Sequence, residues 1–134
     1  MRTDFQGECL CGEVRYRISG TPGPLYLCHC SRCRKLTGSA HAANLFLSDA
    51  ELVFERGGDH VRTYLLPGTR KTSAFCLTCG AAMPRERVPG SVLLPVGSLD
   101  DTTDLTPTAH IWVDSRADWE DALPDTPRFG DNPR

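Results

Sequence analysis

Cys9-Leu10-Cys11-Gly12 and Cys76-Leu77-Thr78-Cys79-Gly80 are the two stretches whose reading decides how this chain folds. Both end in Cys-Gly. A glycine after a ligand cysteine can take φ > 0 without steric cost, which lets backbone N–H groups turn back towards sulfur. The two knuckles lie more than sixty residues apart. Brought together, their four thiolates form a closed tetrahedral site that suits Zn²⁺, a soft, four-coordinate ion. Such a metal ties the start of the chain to its middle, so metal binding becomes folding free energy. The competing reading, a redox dithiol at Cys76 and Cys79, lacks the βαβ surroundings that chemistry expects.

The remaining three cysteines sit in Cys28-His29-Cys30-Ser31-Arg32-Cys33-Arg34-Lys35. Three thiolates with no fourth cysteine leave a metal one open position, the usual arrangement of a reactive zinc. In an extended stretch the side chain of His29 points away from its two flanking ligands. Several alternatives remain at this point. His41, His60, His110 or Asp49 could close the site, or the group could stand empty or oxidise to a disulfide. Zn²⁺ with three thiolates carries a net charge of −1 and is a weak Lewis acid beside a three-histidine site, so binding a further thiolate suits it better than acidifying water. Arg32, Arg34 and Lys35 could offset the added charge or grip carboxylates on a small thiol. Thr37, Gly38 and Ser39 follow directly. Arg34, Lys35 and Ser39 are the candidate substrate-binding residues.

Composition bounds the rest. The 134 residues fit one domain spanning 1–134, 40% apolar and 24% charged, with a formal net charge of −2. The signs are interspersed and no basic run appears, which does not encourage a phosphate-facing patch; no nucleic-acid partner is expected. Residues 1–11 carry charges and no apolar stretch, so they do not read as a secretory leader, and no run approaches a membrane span. A cytoplasmic setting follows, where clustered cysteines stay reduced and read as ligands. Seven cysteines, an odd number, could not all pair in any case. Oligomeric state is not written in the sequence.

Pro and Gly punctuate the chain at 20–24, 57–58, 67–68, 84, 89–90 and 107. The segments between are short and strand-like: 14–18, where apolar residues alternate with arginines, then 52–54, 61–66, 71–75, 92–96 and 110–113. Long connections are expected between them. Helical signals cover 31–36, one turn after Cys30, and 115–123 with Ser115 as N-cap. Trp112 and Trp119 are read as core or tail-docking aromatics, and His41 and His110 as packed histidines. The tail 124–134, rich in Pro, Asp and Gly, is expected to be extended and partly disordered.

Taken together, the three cysteine groups, with 7–16, 28–39, 75–80, Val96-Gly97-Ser98-Leu99-Asp100-Asp101 and His110-Ile111-Trp112-Val113-Asp114-Ser115-Arg116-Ala117-Asp118-Trp119, resemble the family named after glutathione-dependent formaldehyde-activating enzyme, which includes centromere protein V. The resemblance implies a mostly β fold, a β-tent (Mss4-like) of several small antiparallel sheets around a structural zinc. It implies that zinc at Cys9, Cys11, Cys76 and Cys79, and a second at Cys28, Cys30 and Cys33. It also implies addition of glutathione to formaldehyde, giving S-hydroxymethylglutathione, a carbon–sulfur lyase chemistry. Two other functions stay open: a zinc-stabilised interaction module, and a thiol or metal sensor using Cys28, Cys30 and Cys33.

Overall fold

The computed structural model describes residues 1–101 and 104–133. Eight strands and one α-helix are present among them: β1 (Thr3–Glu8), β2 (Arg15–Cys28), α1 (Ser31–Thr37), β3 (Ala42–Arg56), β4 (Val61–Leu65), β5 (Thr72–Cys76), β6 (Arg85–Val88), β7 (Ser91–Pro95) and β8 (Ala109–Ile111). The fold is mostly β. The large sheet runs β1-β2-β3-β7-β6, and β4 pairs with β5 in a separate hairpin. All these pairings are antiparallel. One pairing departs from the antiparallel expectation: β8 lies parallel to Tyr26–Cys28, because it reaches the end of β2 by a long crossover rather than a hairpin.

The alternation at 14–18 decides the sheet's buried face. Val14, Tyr16 and Ile18 are fully buried while Arg17 is exposed. They pack with Leu45, Leu47, Met83, Val92 and Leu94 in the main core, which also contains Cys9 and Cys76. Each such large apolar side chain removed from water contributes roughly 1.5–3 kcal/mol before chain entropy is set against it.

Two expectations need correction. Gly20 to Pro24 does not end a strand: β2 runs through it, with register shifts at Ser19/Thr21 and Pro22/Leu25. Bulges absorb residues that cannot sit in a regular ladder, and so the long connections expected here are instead strands of 14 and 15 residues. Ser115 is not a helix cap. It ends a single 3₁₀ turn over Val113–Ser115, and a second 3₁₀ segment covers Asp118–Asp125 with Ala117 at its start and Pro124 inside it. Pro124 has no N–H to extend a hydrogen-bonded run, and the segment ends one residue later. Residues 126–133 carry no helix or strand and are exposed; the last residue of the expected tail, Arg134, lies outside the described residues.

Candidate functional site

The first and third cysteine groups meet. One sulfur from each of Cys9, Cys11, Cys76 and Cys79 lies within 4.8 Å of the other three. Cys9 and Cys11 Sγ are 3.6 Å apart, and Cys11 and Cys76 Sγ 3.8 Å. Sulfurs placed about 2.3 Å from a central ion span tetrahedron edges of roughly 3.8 Å. The donor set and its spacing fit a metal without rearrangement.

The two knuckles are built alike. Gly12 and Gly80 have φ of 83° and 76°. Cys9 N–H donates to Val14 O and Cys76 N–H to Ala81 O, each at 3.0 Å, while Gly12 and Gly80 N–H donate back to Cys9 O and Cys76 O. Val14 N–H points at Cys9 Sγ from 3.3 Å. Burial opposes the Cys9 thiolate, yet this N–H and the neighbouring thiols hold its pKa below the ordinary thiol value. The Ala81 and Cys11 N–H groups bring Cys79 down to about 6. Cys11 goes the other way, to about 12: the Glu13 N–H favours its thiolate, but desolvation and the adjacent thiols outweigh that contact. A divalent cation held by Cys9, Cys11, Cys76 and Cys79 would resolve this conflict by favouring the thiolate form of all four.

Cys28, Cys30 and Cys33 form the second group, also within 4.8 Å. Cys28 closes β2, Cys30 caps α1 by accepting the Cys33 N–H at 3.4 Å, and Cys33 lies in the helix's first turn. They pack with Ala42 in a small cluster separate from the main core. Burial, with Cys28 beside it, pushes the Cys33 thiol up to about 12. Lys71 Nζ, 3.4 Å from Cys33 Sγ, opposes this.

None of the four residues considered as a further ligand joins the group. His60 bonds Thr78 Oγ1 at 2.6 Å, and Asp49 sits at a bend far along β3 with φ of 47°. His29 points away from the thiols: it is 1% exposed, with Nε2 2.8 Å from His110 Nδ1 and Nδ1 beside the Glu120 carboxylate. Burial holds it below the ordinary histidine range. His41 stacks near His29, with ring centroids 5.1 Å apart, and its buried Nδ1 has no partner among the described residues. The C-terminal segment thus clamps this loop from behind, since His29 N–H also donates to Ile111 O and Arg34 Nε to Ser115 O. Trp112 and Trp119, expected to pack, are 67% and 56% exposed.

Arg34 is therefore engaged with the C-terminal segment. Lys35 faces a small cavity shared with Tyr64 and Leu66, and Ser39 is exposed beside the C-terminus of α1. The cationic surface next to the thiols comes mainly from elsewhere. A cavity of about 300 Å³ opens on Cys28 and Cys33, and Arg32, Arg70, Lys71, Arg85 and Arg87 line it with no acidic residue. Only Arg32 was legible beside the cysteines. The other four arrive through the β4–β5 hairpin and β6, and nothing local in sequence points from them to Cys33.

Three comparisons with known proteins bear on this arrangement. The family model described as glutathione-dependent formaldehyde-activating enzyme matches residues 4–115. A relative from Halomonas elongata, described as "Putative glutathione-dependent formaldehyde-activating enzyme", is 30% identical over 126 residues, covering 86% of this chain and 78% of its own length. A solved crystal structure of a Rhodobacter sphaeroides protein superposes with a TM-score of 0.56 at 29% identity, over 78% of this chain and 98% of that one.

Proposed function

The chain belongs to the glutathione-dependent formaldehyde-activating enzyme family, and from that premise we infer that it catalyses the addition of a small thiol such as glutathione to an aldehyde, and the reverse carbon–sulfur cleavage. The observation that carries this reading is the three-sulfur group, buried at Cys28 and Cys33, with no fourth protein ligand among the described residues and a cationic cavity at its side. Two zinc ions are assigned: one closed by Cys9, Cys11, Cys76 and Cys79, the other held by Cys28, Cys30 and Cys33. Bound at the second group, zinc supplies a soft centre with affinity for one more thiolate.

The chain's own residues do the rest. Lys71 directs its ammonium at Cys33 Sγ and partly neutralises the sulfur-rich centre. The arginines draw in the carboxylates of an anionic thiol and hold it beside the carbonyl carbon, which supplies the proximity that a bimolecular addition lacks. In the reaction the thiol sulfur bonds to the carbonyl carbon, the C=O π pair moves to oxygen, and the thiol's proton ends on that oxygen. No redox partner is needed.

Exchange NMR on glutathione and formaldehyde tests this. Zinc-loaded protein should accelerate interconversion with S-hydroxymethylglutathione at least tenfold over buffer, and Cys30→Ser should abolish the gain. A rate equal to the uncatalysed one, with formaldehyde and with larger aldehydes alike, removes the assignment.

A further inference from the structure

Cys33 stands in a wall between two cavities. On one side is the 300 Å³ cationic space. On the other is a space of about 520 Å³ whose lining includes Leu36, Ala42, Ala43, Tyr64, Phe75 and Pro95. Cys33, Asn44, Lys71 and Arg85 line both. Three of these are more than a passive wall. Asn44 is 9% exposed, and its side chain makes no hydrogen bond among the described residues. Arg85 is half-buried and tethered by its Nε to Thr72 Oγ1 at 2.8 Å. Lys71 reaches the Cys33 sulfur. The Asn44 amide is not among the sealed, unpartnered polar atoms, so it is open to a ligand in the cavities that Asn44 lines.

The two sides differ in chemistry. None of Arg32, Arg70, Lys71, Arg85 and Arg87 is ion-paired among the described residues; Arg87 lies over the Phe46 ring at 5.3 Å. That side calls for carboxylates. The larger side is mostly hydrocarbon and aromatic surface, although Thr37, His41 and Ser73, with the shared Asn44, Lys71 and Arg85, also line it. A cavity of this size matches a ligand of many atoms. Formaldehyde has two heavy atoms and needs about the 30 Å³ of one water. It leaves almost all of the larger space to solvent against apolar walls, which forfeits the burial those walls offer.

We propose that the cleft around Cys33 is two-chambered: the cationic chamber seats the carboxylates of the thiol, and the apolar chamber seats the substituent on the carbonyl carbon, so that the aldehydes this protein handles carry an apolar group and are larger than formaldehyde. This rests on the thiol–aldehyde reading of the second cysteine group. The adduct forms as above, with sulfur bonding to carbon and the thiol proton ending on oxygen; only the substituent on carbon changes. Asn44 stands where the thiol's amide or the new hydroxyl can bond to it.

Two measurements on the zinc-loaded protein test this separately from the reaction class. The first is calorimetric binding of S-hexylglutathione and S-methylglutathione, stable mimics with and without an apolar substituent. The hexyl compound should bind at least tenfold more tightly. Ala82→Trp, at an exposed position on the rim of the larger chamber, should erase that preference while leaving the methyl compound's affinity within twofold. Arg70→Glu combined with Arg87→Glu should weaken both ligands at least tenfold. Equal affinity for the two compounds in the native protein overturns the proposal. The second is exchange NMR with hexanal against formaldehyde. Acceleration of hexanal addition supports the proposal. Acceleration of formaldehyde alone overturns it and leaves the thiol–aldehyde function standing. Failure with both aldehydes, with hexyl preference intact, overturns that function and the inference resting on it, while the chambers remain as a binding site.

Discussion

Tyr16 illustrates how a single side chain joins the core to the turn that follows β7. It is fully buried, and its hydroxyl meets Ser98 Oγ at 2.6 Å. Burial pushes its phenol up to about 12. An unfolded tyrosine ionises near 10, so between those values the unfolded chain sheds a proton that the folded one keeps. The sign follows: the contribution is complete below about pH 10 and is lost as pH rises towards 12, a span of roughly 2–3 kcal/mol. Urea unfolding at pH 9 and pH 11.5 should show this fall in the native protein and a much flatter dependence in Tyr16→Phe. Absorbance near 295 nm should show a tyrosine ionising only near pH 12, and Tyr16→Phe should remove that late step. The four thiolates of the first group make the complementary case. On the proposed zinc assignment, Cys76→Ser should cost several kcal/mol, because it removes one of the ion's four ligands at a position inside the main core. Cys30→Ser, in the separate small cluster, should cost under about 1.5 kcal/mol in the same denaturant titration.

At the scale of elements, β1 and β2 hold the first knuckle against the strand-to-loop junction at Ser98. Gly7 makes this possible. It pairs with Tyr16 in the ladder and bridges Leu99, and a Cβ there would collide with the Ser98 carbonyl oxygen and the Tyr16 hydroxyl. Gly7→Ala should therefore destabilise the protein by about 2–3 kcal/mol, the usual cost of overpacking, and thermal unfolding would register it as a drop of several degrees. A neutral result would show that β1 can move away from Ser98. The element boundaries show what the sequence reveals and what it hides. The alternation at 14–18 and the strand-like runs at 61–66 and 92–96 are local, so β2, β4 and β7 were legible, as was the turn of α1 behind Cys30. Bulges are set by the partner strand, so Gly20 to Pro24 read as a break when it is the middle of β2. The parallel seat of β8 depends on a crossover that no local pattern encodes.

For the whole molecule, the division of seven sulfurs matches the division of the interior. Cys9 and Cys76 are part of the main core, whereas Cys28 and Cys33 form a small cluster under α1 and the C-terminal clamp. Spacing alone made the partition readable. The cationic cavity was not readable, because Arg70, Lys71, Arg85 and Arg87 reach Cys33 only through the packing of the hairpin and β6. The same packing carries the proposed chemistry, in which a core built around one saturated ion would support a second, exchangeable one at its edge. Stepwise chelation, with zinc release followed by a colorimetric chelator and tertiary structure by near-ultraviolet circular dichroism, tests this most directly. The account predicts two zinc ions leaving in two phases. The first should be fast, absent in Cys30→Ser and silent in the circular dichroism; the second should be slow and coincide with unfolding. Release of both ions in one phase together with unfolding, or a first phase that survives in Cys30→Ser, would contradict it.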